Sequence, residues 1–226
     1  PCRDFDVYLL EMDDYRRRLG DNGAALDELE KLLRRERSKA LRRVRAALRS
    51  KRFAAAVDHW RILAKTKAWD PEAPKAGRPI GTLAGKRILK AYRKMVDRGI
   101  ELDDPPPSVA LHRIRIDAKK LRYLLEFFGN LYPPKTISRL IKELKQFQDI
   151  LGGFNDMVVQ QQHLAGFAEK LRAEGSARAD TVFAMGRLAD EMKTRQSNYR
   201  EAFAERFQPF ASDPSRDLYR ATFGGG

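Results

Sequence analysis

Apolar residues recur every three or four positions along nearly the whole chain, and no convincing stretch alternates apolar and polar residues as a strand would. Stripes of this kind are buried by packing helix on helix, so the expected fold class is all-α. The predicted helices are 4–19, 24–50, 53–65, 83–99, 108–130, 135–151, 154–173 and 178–207. Their breaks are chemical. Gly20 and Gly23 flank a turn, and Asp70-Pro71 opens a loop running through Pro74, Gly77, Pro79 and Gly81. The run from Asp103 to Pro107 ends one helix and offers Ser108 as the next N-cap, while Pro133-Pro134 and Gly152-Gly153 separate the later helices. Long helices joined by short turns predict antiparallel bundles.

An internal repeat is faintly visible. Arg3-Asp4-Phe5-Asp6-Val7 resembles Asn155-Asp156-Met157-Val158-Val159; each begins a helix after a turn, and a long helix follows. Two similar bundles related by an approximate twofold are expected within a single 1–226 domain. Residues 1–70 would be the remainder of a first four-helix repeat lacking its opening helices, 71–82 a loop, and 83–226 the second repeat.

At 226 residues the chain can bury a sizeable core. Its single cysteine, Cys2, excludes an internal disulfide framework and a multi-cysteine zinc site, and suits a reducing cytosol. No apolar run approaches the length of a membrane span. The chain opens on Pro1, and no signal peptide is visible.

Charge narrows the partner. The net charge of +14 favours a polyanion. Residues 1–30 are acidic, with nine Asp/Glu against four Arg, whereas residues 31–52 hold eleven Lys/Arg and one Glu. In the predicted helix 108–130, His112, Arg115, Lys119 and Arg122 share an arc of about 80°. Leu111, Ile114, Ala118, Leu121, Leu125 and Phe128 form the core side, and Ile116, Tyr123 and Phe127 add a narrower apolar strip on the other edge of the cations. Arg35, Arg42 and Arg49 repeat every seven residues, about 10 Å apart along their helix, opposite a core stripe of Leu29, Leu33, Ala40, Val44 and Ala47. That row is too long for a compact ligand and repels itself unless an extended anion lies on it. Lys86, Lys90, Arg93 and Lys94 form a sparser row, read as a solvated face. Arginine grips phosphate with a planar fork and lysine with a point charge. The wheel alone leaves a plain solvated basic face open for each row.

Catalytic and metal motifs are missing. No phosphate loop, G-x-G-x-x-G fingerprint or H-E-x-x-H pair occurs. His59 and His163 lack partners at ligand spacing, Asp4 and Asp6 suit a helix start, and Trp60 and Trp69 are read as core filling. No cofactor, metal or catalytic residue is expected.

The run His112-Arg113-Ile114-Arg115, Lys119-Lys120-Leu121-Arg122-Tyr123 and Glu126-Phe127-Phe128 resembles the signature helix of the CHAD family, the conserved histidine α-helical domains. Leu144 to Asp149 and Leu151-Gly152-Gly153-Phe154-Asn155-Asp156 resemble the family's next helix and turn, and Arg3 to Val7 the matching turn of its first repeat. The resemblance implies two four-helix bundles and a docking role without catalysis: inorganic polyphosphate bound in a basic groove lined by helices. It also implies a cytoplasmic location at polyphosphate granules. Some members carry a fused triphosphate-tunnel β-barrel, which nothing in this sequence could form. On this resemblance His112, Arg115, Lys119 and Arg122 take binding positions, with Lys142 and Lys145 as a looser match; Arg35, Arg42 and Arg49 rest on helical spacing. Two other readings stay open: nucleic-acid binding, which the 31–52 segment's lack of aromatic residues disfavours, and histidine phosphotransfer at His112, which lacks an activating neighbour in sequence.

Overall fold

A computed structural model describes residues 2–66 and 76–224. Trp69 and the Asp70–Pro74 part of the expected loop lie outside the described residues. The fold is all-α, with no strand among the described residues. The helices are α1 (Cys2–Leu10), α2 (Met12–Leu19), α3 (Asp27–Leu48), α4 (Lys51–Lys65), α5 (Ile80–Ile100), α6 (Ser108–Phe128), α7 (Pro134–Ala173), α8 (Ala179–Ala211) and α9 (Asp213–Phe223), with 3-10 turns at Gly20–Leu26 and Gly129–Leu131.

Two compact units form, and they do not follow the halves of the sequence. The first takes Pro1–Ala76 with Val159–Met192; the second takes Gly77–Val158 with Lys193–Gly226. Residues 159–192, expected in the second repeat, pack with the first. The reason is that α7 does not break at Gly152-Gly153, where two helices were expected. A Cβ on Gly153 would sit 2.3 Å from Cζ of Tyr199, so this glycine admits a neighbouring ring instead of turning the chain. The continuous helix carries Leu164, Phe167 and Leu171 into the first unit's core, where Phe167 meets Phe5 and Tyr8.

In that first unit, Tyr8, Tyr15, Leu29, Leu32 and Leu33 are buried, and Tyr15 Oη donates to Gln160 at 2.5 Å. The expected core stripe of α3 holds only for its N-terminal half. Val44 is 45% exposed, Ala47 is exposed, and no α4 residue is buried. Trp60, expected to fill core, is 71% exposed: no residue of α4 is buried, so this ring stands on a helix without a core-facing side.

The second unit positions the histidine helix. Ile114, Ala118, Leu121 and Leu125 of α6 are buried with Ile88 and Met95 of α5, Leu144 and Phe147 of α7, and Phe203 and Phe207 of α8. Gly99 of α5 lets Phe207 approach: an added Cβ would lie 2.0 Å from its ring. The α9 helix was missed in the sequence, although Ser212-Asp213-Pro214 is a start signal. Ser212 Oγ accepts from the Ser215 backbone N–H at 3.4 Å, and the proline occupies the first turn. Tyr219 of α9 stacks on Tyr92 of α5 with centroids 3.8 Å apart. By contrast, Ser108 begins α6 without acting as its side-chain cap.

Candidate basic binding site

The α6 row divides on inspection into free cations and tied ones. Arg115 and Lys119 are half-buried and have no ion partner among the described residues. Both line one shallow surface hollow, an arrangement suited to gripping an anion. Arg122 differs. Its Nε donates to Gln148 Oε1 at 2.8 Å and its Nη1 to Glu126 at 2.8 Å, leaving its side chain 20% exposed. Gln148 in turn donates to the Ala118 carbonyl at 2.7 Å. Arg122 therefore clamps α6 to α7 more than it offers a free charge. Lys145 is also partly engaged, lying 3.8 Å from Glu126, whereas Lys142 is exposed with no partner among the described residues.

His112 is exposed, and its Nδ1 lies 2.8 Å from Asn155 Oδ1. An amide oxygen only accepts, so Nδ1 carries the proton and donates. The bond fixes the ring, and Nε2 can donate to an anion only in the imidazolium form, in which both ring nitrogens carry a proton. Asn155 was read in sequence only as a helix-start residue; its place in the quoted Asn155-Asp156 motif was the available signal.

The second apolar edge of α6 is not covered. Ile116, Tyr123 and Phe127 are 51%, 53% and 79% exposed. With Arg115, Lys119 and Lys120 they line a shallow hollow of about 550 Å³.

Beneath the row lies a carboxylate that sequence reasoning missed. Asp117 is 4% exposed and receives Lys94 at 3.3 Å and Arg98, both from α5. Two cations of α5, one of them in the row, are thus held by a buried counter-charge, which is how a segment so rich in like charges packs against α6.

In the first unit the heptad row is also unequal. Arg35 is bonded to Glu174 at 2.5 Å, while Arg42 and Arg49 are exposed with no ion partner among the described residues. Arg37 bonds to Asp6, so that aspartate does more than begin a helix; the pairing holds the guanidinium's pKa above its ordinary value. Among the described residues no helix is long and apolar enough to cross a membrane, and no cluster of His, Cys, Asp and Glu could hold a metal ion.

Two curated proteins of Mycobacterium tuberculosis, from strains CDC 1551 / Oshkosh and ATCC 25618 / H37Rv, are each 30% identical to this chain over 131 residues. Both are described only as uncharacterized. The aligned stretch is 58% of this chain and 24% of either relative, so it accounts for about a quarter of their length. The family model for the CHAD domain matches residues 1–165, a stretch running from the Asp6 turn through His112 to Asn155 and beyond. The chain belongs to the CHAD domain family.

Proposed function

We propose that this chain binds inorganic polyphosphate along its basic helix faces and carries out no reaction of its own. The observation that carries the reading is the α6 row: Arg115 and Lys119 half-buried without ion partners, beside a histidine held by Asn155. The three residues span about 10 Å along the helix, and exposed Lys142 and Lys145 on α7 extend the charge. Repeated cations with few internal counter-ions favour a repeating anion, whose binding releases counterions and gains from multivalency. Family membership supports the same ligand, with attachment to polyphosphate granules as the cellular counterpart. In the first unit Arg42 and Arg49 are the row members we assign to binding; Arg35 must first leave Glu174.

Single-stranded nucleic acid is the second reading, and one observation favours it. Tyr123 and Phe127 stand exposed beside Arg115 and Lys119, as stacking platforms would. Competition between long-chain polyphosphate and single-stranded DNA at matched ionic strength decides between them. Polyphosphate should displace DNA, bind more tightly per molecule as its chain lengthens, and lose affinity with rising salt. Arg115→Ala with Lys119→Ala should weaken binding about tenfold or more without changing the melting temperature. Equal affinity for short and long chains, or unchanged affinity in this variant, would sink the proposal.

A further inference from the structure

The row on α5, read in sequence as a solvated face, lines a hollow in the second unit. It lies between α5 and α9 and has a volume of about 950 Å³. From α5 come Lys86, Lys90 and Arg93, each exposed and without an ion partner among the described residues. From α9 comes Arg220, whose pairing with Asp217 at 3.3 Å is a solvent-exposed neighbour contact of little strength. An adjoining hollow of about 150 Å³ shares Arg93 and Arg220 and adds Arg216. Tyr92 lines the smaller hollow; burial pushes its hydroxyl up to about 12, and Arg216 and Arg220 oppose that rise.

Three features separate this hollow from an ordinary basic face. It is concave, and its cations come from two helices that the Tyr92–Tyr219 stack holds together. Its inner cations, Lys94 and Arg98, are anchored by buried Asp117. Finally, Asp97 and Glu101 line the end nearest the C-terminus of α5. These carboxylates repel phosphate, so an extended polymer is disfavoured along the full length of the hollow. The free cations are confined to the Lys86–Arg93 portion, about 10 Å long, which fits a compact anion.

We propose that the α5–α9 hollow is a second phosphate site, which takes a triphosphate group independently of the α6 strip. Lys86, Lys90 and Arg93 would contact the phosphates from one wall and Arg220 from the other. This extends the phosphate-binding reading to a different ligand and different residues, and it can stand or fall separately.

Calorimetry with tripolyphosphate, ATP and long-chain polyphosphate tests it on the whole chain. Lys90→Ala with Arg93→Ala should lower affinity for the preferred triphosphate ligand at least about tenfold. Arg115→Ala with Lys119→Ala should leave that affinity unchanged while weakening long-chain polyphosphate. Stronger binding of ATP assigns a nucleotide as the ligand, and stronger binding of tripolyphosphate assigns the bare anion. Lys86→Ala is a single substitution at an exposed, unpaired side chain and serves as an independent variant should the double variant misfold. Binding of neither triphosphate, unchanged affinity in the hollow variants, or equal loss in the α6 variant overturns the proposal. Loss of long-chain binding alone bears only on the α6 strip.

Discussion

Removing the carboxylate of Asp117 tests how the second unit accommodates its charge. Asp117→Ala leaves Arg98 and Lys94 without the counter-charge that now sits 4% exposed between α5 and α6. Breaking a fully buried pair costs about 3–5 kcal/mol. Here the Arg98 and Lys94 side chains are 33% and 54% exposed, so both can turn toward water, and the cost falls to about 2 kcal/mol. For a chain of this size that lowers Tm by about 4–8 °C. Urea unfolding followed by circular dichroism measures the loss, and a double-mutant cycle with Arg98→Ala isolates the pair. Its coupling should be about 1 kcal/mol or more, whereas independent sites add to within about 0.5 kcal/mol. The shape-conserving Asp117→Asn variant separates charge from packing, and it should lose most of the same stability. An unchanged midpoint in Asp117→Ala, or coupling within the additivity limit, refutes the account.

Other outcomes follow from single contacts. Gly153→Ala should destabilise by about 1–2 kcal/mol despite the better helix propensity of alanine, because its Cβ would meet Cζ of Tyr199 at 2.3 Å; a variant melting at or above the parent contradicts the packing role. Asn155→Ala should weaken long-chain polyphosphate binding by about two- to fivefold through the freed His112 ring, with melting unchanged; equal affinity would show that the His112 orientation is irrelevant. The hydrogen bond from Lys170, and after it that from Lys39, holds the Glu36 carboxyl below its ordinary value of 4.5. A depressed carboxylate pKa stabilises above the unfolded value and is lost as pH falls through the folded one. Glu36→Gln should therefore cost about 1 kcal/mol at neutral pH, with the difference shrinking below pH 4.5; a pH-independent gap in urea midpoints would exclude this linkage.

Much of the candidate site was readable from residue order, and its failures have physical causes. The α6 face could be drawn correctly because periodicity states which residues share a side: Ile114, Ala118, Leu121 and Leu125 are buried, and Arg115 and Lys119 remain reachable. Periodicity does not state what packs against a side. From spacing alone Val44 and Trp60 read as core, yet they are 45% and 71% exposed; Lys86, Lys90 and Arg93 read as a solvated row and are exposed, but spacing does not show the hollow that α9 forms beside them. Glycine pairs are ambiguous for a similar reason. Gly152-Gly153 reads as a turn, yet the space at Gly153 is used by the Tyr199 ring. The α9 start was a missed local signal, since its capping serine and proline are adjacent in the chain.

By itself, then, the order of amino acids determined the helical class, the cationic faces and the family, because helix periodicity and short motifs are local properties. Only the tertiary structure decided which cations are free. Arg35 is taken by Glu174, Arg122 by Gln148 and Glu126, and Arg98 by Asp117, over separations of up to 139 positions. A counter-charge so distant along the chain is brought near by packing alone, and that packing leaves Arg115, Lys119, Lys90 and Arg93 without ion partners among the described residues.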